Sequence, residues 1–366
     1  MKVLFCSFNK YKTVSGEYIN LIRLKEFIES NFRYEIDTYL PFINKNLFGY
    51  LRFIPKYILD VRKKIYEYDK VQIFIPSSVF LWIYYLILAW HPQKNKVIFY
   101  IDGLRVEDSI QLIFRHFRNS TRAVDKKIYL SRLLMNNRLL EFKLKDKFRY
   151  MVATEYQKRS LFPNANVHVI PNDYYLFKDI CRKNKIPGRT IAYMGQFLYM
   201  KGIDYLIDLF IEIKKEDPSV NVEALVSFNY SERMNDEEFN SIPLVRKAIE
   251  KGIIFRREII KPDEYLRGID IVILPYKHIY STNIIPSVIF ETIKNGVYIY
   301  TVRHPLLYEF LKDNAGYLTF DLQKDSANVL KILPLAAELA NQTKMRYTDE
   351  KIFSTRKNQI RQLYGC

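Results

Sequence analysis

Short apolar runs alternate with amphipathic stretches along the chain, and they do so in two separate series. The first series is KVLFCSF, EIDTYL, VQIFI, KVIFYI, YMVAT and NVHVIPN, with helical stretches such as GEYINLIRLKEFIES and an amphipathic run from about Tyr50 to Tyr68 between them. Strands separated by helices at this spacing join in parallel and are covered on both faces, which selects an α/β architecture. After Asn172 a more polar stretch, DYYLFKDICRKNKIPGR, ends in Pro187 and Gly188 and reads as a linker. The second series then runs TIAYMG, VNVEALVSF, IIFRREI, DIVILPY and VYIYTV, with helices from Gly202 to Lys214, near Pro243 to Glu250, after Pro262 and after Pro286. The expected organisation is a doubly wound domain over residues 1–178, a second over 188–345, and a terminal helix over 346–366 that returns toward the first.

A chain of 366 residues with 49% hydrophobic content has enough apolar material for two such cores. Its formal charge of +17 attracts polyanions in general, whether nucleic acid, an anionic membrane or a diphosphate. The sequence has no zinc-finger spacing and no basic arm before a heptad repeat, which argues against a nucleic-acid partner. Cys6, Cys181 and Cys366 are too few and too scattered for a disulfide framework, and MKVLFCSFNKYK lacks the apolar stretch of a signal peptide. Both point to the cytoplasm. Val71 to Trp90 carries no charge, but Pro76 and two serines divide it into a strand and a helix too short to cross a bilayer.

Ligands of doubly wound sheets bind outside the carboxyl ends of the strands, and anionic ligands gain from the free N–H groups at helix starts. Two segments of the second series sit where such a ligand would lie. In YMGQFLYMKG, Gly195 permits a tight turn after a strand, and Lys201 stands at a helix start, where a cation is unfavourable unless an anion is supplied. That position suits a diphosphate, and it equally suits a solvated surface lysine. In NIIPSVIFETIKNG, Pro286 or Ser287 opens a helix that Asn295 and Gly296 close, and Glu291 stands among apolar neighbours in its second turn. Glu291 is suited to accept hydrogen bonds from hydroxyls, or to make a structural salt bridge.

Together with VIPND at Val169 to Asp173, these segments resemble the retaining glycosyltransferases of family four, which have the GT-B fold. VIPND is similar to the family's IPN segment, GQFLYMKG to its glycine turn and Lys-Gly pair, and IPSVIFETIKNG to its acidic motif. Tyr308 and Glu309 are similar to the acidic helix start that follows the next strand. The likeness covers residues 165–320, and the first domain follows in layout only.

The resemblance implies two Rossmann-like domains whose parallel sheets face each other across a cleft. It further implies transfer of a sugar from a nucleoside diphosphate, a UDP- or GDP-sugar, to a glycan or lipid-linked glycan acceptor with retention of configuration. Lys201 would contact the diphosphate and Glu291 the ribose hydroxyls. Gly195, Gln196, Asn283, Ile285, Pro286 and Ser287 complete the donor side, with backbone amides around Ile284 to Ser287 facing the sugar or its phosphate. Ser15 and Gly16 are similar in place to the glycine-rich first loop.

Three positions depart from the family. Gln196 stands where an arginine is usual, leaving Lys201 as the phosphate cation unless Arg105, Arg303 or Lys277 substitutes. Asn283 stands where the first glutamate of the acidic motif is usual, and its amide can hydrogen-bond but not ionise. Asp102 stands where a histidine is usual; in YIDGLR it suits either a carboxylate acting on an acceptor hydroxyl or a turn-forming Asp-Gly.

No metal-ligand spacing is apparent among the histidines, so no metal is expected to be required. The competing readings are a non-catalytic nucleotide-sugar-binding protein and a two-domain sugar-nucleotide epimerase. Oligomeric state is not legible. Gln111 to Tyr150 carries eleven Lys or Arg against three Asp or Glu, interleaved with Phe114 and Phe117, and Pro41 to Lys70 carries seven against three. These stretches predict reversible contact with an anionic membrane.

Overall fold

The computed structural model of the chain describes residues 1–7, 16–41, 47–75, 84, 87–101, 110–119, 126, 148–161, 166–177, 188–226, 235–257, 261–277 and 285–365. The chain divides into two compact units. Unit 1 comprises Met1–Arg118, Ile128–Tyr175 and Glu350–Cys366; unit 2 comprises Asn119–Lys127 and Leu176–Asp349.

Unit 1 is built on six strands: β1 (Lys2–Cys6), β2 (Glu35–Tyr39), β3 (Lys70–Ile75), β4 (Val97–Ile101), β5 (Arg149–Val152) and β6 (Val167–Val169). They lie side by side in the order β2-β1-β3-β4-β5-β6, and all the pairings are parallel. Crossovers cover both faces of such a sheet, so its central strands β3 and β4 are buried almost throughout instead of alternating. All five residues of β4 are buried. The described helices are α1 (Gly16–Asn31), α2 (Leu47–Lys64), α3 (Ile110–Asn119) and α4 (Glu155–Leu161). Ile54, Tyr57, Ile58 and Val61 recur on α2 at helical spacing and join the strand residues in one core.

The stretch after Asn172 begins as core. Asp173, Tyr174 and Leu176 are buried, and the Tyr174 hydroxyl donates to the Asn20 carbonyl at 2.9 Å. An aromatic ring and a buried carboxylate hold this segment where polarity had suggested a linker; residues 178–187 lie outside the described residues.

Unit 2 carries β7 (Thr190–Gly195), α5 (Ile203–Glu216), β8 (Asn221–Val226), α6 (Asp236–Asn240), α7 (Pro243–Glu250), β9 (Ile254–Arg256), α8 (Pro262–Tyr265), β10 (Ile271–Leu274), α9 (Ser287–Lys294), β11 (Tyr298–Val302), α10 (Pro305–Leu311), β12 (Gly316–Leu318), α11 (Leu322–Ile332) and α12 (Ala336–Tyr347). The strand order is β12-β11-β10-β7-β8-β9, again with parallel pairings. Numbered within the unit this is 6-5-4-1-2-3, the Rossmann order.

Local chemistry accounts for the element ends. Asn235 and Glu238 form a reciprocal capping box at α6. Gly252 and Gly296 have φ of +76° and +64°, and at Gly296 the pair Gly296 N–H to Ile293 O and Val297 N–H to Thr292 O closes α9 as a Schellman turn. Ile203, Leu206, Ile207, Phe210 and Ile213 give α5 its buried face. The short α6 and β12 and the helices α11 and α12 were not anticipated; three to five residues are too few for a periodic signal, and α12 is only weakly amphipathic.

The final helix, α13 (Glu350–Tyr364), belongs to unit 1. It starts after a break at Thr348, so residues 346 and 347 end α12 instead of belonging to the terminal helix. Arg356 makes a two-pronged ion pair with buried Asp173, at 2.7 and 3.0 Å. Arg149 donates to the Leu363 carbonyl at 2.7 Å, and the Tyr364 hydroxyl donates to Gln72. No described helix is long and apolar enough to cross a membrane.

Candidate functional site

In the unit 2 sheet the strand order reverses at β7, which has β8 on one side and β10 on the other. In doubly wound domains the crossovers diverge at such a point, and ligands bind beyond the carboxyl ends of the two strands that flank it, here β7 and β10. The residues that line this edge come from two loops, one after Gly195 and one after Leu274.

The first loop is tightly folded. Tyr193 is fully buried and its hydroxyl turns back over Gly195 to donate to the Gln196 carbonyl at 2.7 Å. A Cβ on Gly195 would lie 2.7 Å from that hydroxyl oxygen, so a larger residue here would push the Tyr193 hydroxyl off the Gln196 carbonyl. Burial, reinforced by the neighbouring Tyr276, pushes the Tyr193 phenol well above its ordinary value and keeps it a donor. The chain then makes a 3-10 turn over Tyr199–Lys201 and enters α5 through Gly202 at φ +76°.

Lys201 therefore ends the turn that leads into α5, two residues before the helix begins. Gly202 adopts a left-handed conformation that stops one element before the next begins. A Cβ there would lie 1.9 Å from the Pro275 carbonyl oxygen, so the two loops touch backbone to backbone. Reciprocal cation and ring contacts reinforce the junction: the Lys201 ammonium lies 4.7 Å from the Tyr276 ring centre, and the Lys277 ammonium lies 3.9 Å from that of Tyr199. Lys277 also pairs with Asp204 of α5.

At the far end of the second loop, Ile285 is buried, Pro286 caps α9 and Ser287 is its first helical residue. Glu291 is the fifth residue of α9 and only 7% exposed, with Val288 to Ile293 all buried around it. Its carbonyl accepts the Asn295 N–H at 3.1 Å and the Asn295 side-chain amide at 2.9 Å. Beyond β11, Arg303 lies with its guanidinium carbon 4.6 Å from the Tyr308 ring centre. Glu309 is the fifth residue of α10, past the helix start that the resemblance assigned to it; His304 caps that helix by accepting the Leu306 N–H at 3.2 Å.

Gly195, Gln196, Lys201, Ile285, Pro286, Ser287 and Glu291 thus all belong to connections of one sheet edge or the helix that follows it. Ser15, Asp102, Arg105 and Asn283 lie outside the described residues, and Gly16 opens α1 in unit 1. Sequence reasoning missed Tyr199, Asp204 and Tyr276. Two tyrosines near a Lys-Gly pair and a strand end were visible signals, but their pairing depends on β7 lying beside β10. Among the described residues, no group of three His, Cys, Asp or Glu side chains is arranged to hold a metal ion.

No family model and no curated protein matches the chain at the sequence level. Solved structures do resemble it. Sucrose-phosphate synthase from Thermosynechococcus elongatus matches over 100% of this chain and 99% of its own, with a TM-score of 0.66 at 12% identity. A trehalose-6-phosphate structure from E. coli bound with UDP-2-fluoro glucose matches over 100% and 99%, with a TM-score of 0.63 at 9% identity. S. aureus TarM, in complex with fondaparinux, alpha-GlcNAc-glycerol and UDP, matches over 84% of this chain with a TM-score of 0.57 at 15% identity, and the chain spans 58% of TarM's length. At such identities the likeness is one of fold: two Rossmann-like domains with six-stranded parallel sheets, the GT-B architecture.

Proposed function

We propose that the chain is a nucleotide-sugar-dependent glycosyltransferase of the hexosyltransferase type. It transfers sugar from a UDP- or GDP-linked donor to a glycan or lipid-linked glycan, with retention of configuration and without a required metal. The observation that carries this reading is the cationic turn at the sheet's reversal point, where Lys201 meets Tyr276 and Gly202 meets Pro275. The UDP and UDP-sugar complexes of the fold neighbours support a donor of this class.

In this reading Lys201 takes the diphosphate, Glu291 the ribose hydroxyls, and backbone amides around Ile284 to Ser287 the sugar or its phosphate. As the bond between sugar and phosphate breaks, negative charge grows on the leaving diphosphate, and a preorganised cation beside it lowers the barrier. Asp102 acts on the acceptor hydroxyl, Ser15 and Gly16 approach the donor from the first domain, and Asn283 hydrogen-bonds the sugar.

The protein works in the cytoplasm, with reversible contact to an anionic membrane face. Phe114 and Phe117 of α3, with ring centres 6.3 Å apart, and the exposed Arg115 and Arg118 support that contact. Most of the remaining basic stretch, residues 120–125 and 127–147, lies outside the described residues, whereas Phe53 of the second stretch packs against the core.

Thermal melting with UDP-, GDP-, ADP- and CMP-sugars tests the donor class. A ligand at one hundred times its Kd stabilises the native state by about 2.7 kcal/mol. Stabilisation by one nucleotide class, lost in Lys201→Ala and retained in EDTA, is the expected result, followed by transfer of labelled sugar to an acceptor. Indifference to every nucleotide sugar refutes the proposal. Stabilisation without transfer or hydrolysis would instead favour the binding-protein reading that Gln196 and Asn283 motivate, and sugar conversion without an acceptor would favour an epimerase.

A further inference from the structure

A nucleoside diphosphate carries at least two negative charges, and a crevice that excludes water raises the demand for counter-charge. Lys201 answers part of that demand. The loop on the opposite side of the reversal point presents a second ammonium, that of Lys277, within the same interlocked pair of loops: Lys201 rests on a ring of Lys277's loop, and Lys277 rests on a ring of Lys201's loop.

Lys277 is tethered but not sealed in. Its side chain keeps 19% of its exposure, and its carboxylate partner Asp204 keeps 35%. Asp204 is half satisfied: one oxygen engages Lys277, while the other is buried with no hydrogen-bond partner among the described residues. A pair serving packing alone would gain from satisfying both oxygens, since an unmet buried acceptor is costly. Arg303 is a weaker candidate for the same role, because it sits one strand further along the edge, at the end of β11, and faces solvent.

We propose that Lys277 is the second phosphate-binding cation of this site, and that Asp204 is its resident counter-ion, competing with the ligand's phosphates for the ammonium. The inference rests on the donor reading above. It assigns Lys277 a direct contact with the diphosphate and Asp204 a restraining role on affinity. The Tyr199 ring holds the ammonium at the crevice in either state, so ligand binding exchanges one anion for another around a fixed cation.

Calorimetry with UDP, GDP, uridine and guanosine on three proteins tests the inference. Wild type establishes which diphosphate binds. In Lys277→Gln that diphosphate should bind at least about tenfold more weakly while the matching nucleoside is unaffected, as expected on losing one charged hydrogen bond. In Asp204→Asn the diphosphate should bind more tightly, by roughly threefold or more, because the competing carboxylate is gone. Equal losses for diphosphate and nucleoside in Lys277→Gln, or no loss, overturn the assignment; so does an unchanged or weakened diphosphate affinity in Asp204→Asn. If Lys277→Gln does not fold, the Asp204→Asn result decides alone. Failure of wild type to bind either diphosphate refutes the donor reading itself, a result distinct from normal wild-type binding that Lys277 does not influence.

Discussion

Replacing Gly202 with alanine probes the junction on which the whole candidate site depends. Gly202 has φ +76° and ψ 25°, a left-handed conformation that costs an L-residue about 1–2 kcal/mol. The added methyl would sit 1.9 Å from the Pro275 carbonyl oxygen and 2.9 Å from its carbonyl carbon. Ordinary contact begins at 3.4 Å, so the loops must separate by roughly 1.5 Å, and the obstacle is backbone instead of a side chain that can rotate away. Overpacking of this kind costs about 1–3 kcal/mol. The two contributions sum to about 2–5 kcal/mol, which in a domain of this size corresponds to a fall in Tm of about 4–20 °C. The same separation draws Lys201 off Tyr276 and Lys277 off Tyr199, so diphosphate affinity should fall in whatever fraction remains folded. Gly268→Ala is the control, since nothing lies within 4 Å of its added methyl and its φ is not left-handed. Melting curves of both variants beside wild type provide the measurement. A Gly202→Ala protein that melts within 2 °C of wild type would refute the argument that the loops meet backbone to backbone.

Three further outcomes follow from other sites. Arg356→Ala leaves the Asp173 carboxylate, 1% exposed and pushed above its usual range by burial, without its bidentate partner; urea denaturation should show a loss of about 3–5 kcal/mol. Burial holds the His304 imidazole down at about 4, below its ordinary 6.5, while its ring nitrogen caps α10. Between those values the unfolded chain binds a proton that the folded chain refuses, so stability should fall as pH drops from 6.5 to 4, and His304→Asn should flatten that dependence in melts taken across the range. Glu291→Gln should weaken both the nucleoside diphosphate and the free nucleoside by about tenfold with the fold intact, because ribose is common to both; unchanged nucleoside affinity by calorimetry counts against the ribose assignment.

Much of unit 2's local structure is legible in the residues themselves. Pro243 and Pro262 stand at the first turns of α7 and α8, Pro286 caps α9, and Asn295 with Gly296 closes α9. These features arise from contacts between residues a few positions apart, which is why spacing alone reveals them. The Gly195 turn and the Lys-Gly pair were visible for the same reason. The 3-10 turn that carries Lys201 into α5 was not legible, because a single such turn and a left-handed glycine leave no periodic signal.

The linker illustrates the opposite case. DYYLFKD reads as polar connection, yet Asp173 and Tyr174 are buried because α13 and α1 bring Arg356 and Asn20 to them. Arg356 lies 183 residues from its partner, and no periodicity connects positions so far apart.

By itself the sequence determined the two series of strands and helices, the apolar character of the central strands, several helix starts in unit 2 and the residue types gathered near its strand ends. Periodic burial and capping are local interactions, and they survive in a linear reading. The tertiary structure alone decided that β7 lies between β8 and β10. From that order follow the crevice, the contact of Gly202 with Pro275, and the pairing of Lys277 with Asp204 across 73 residues. Strand order is set by which buried faces and crossovers pack best over the whole domain, a global balance of burial that no short stretch of residues encodes.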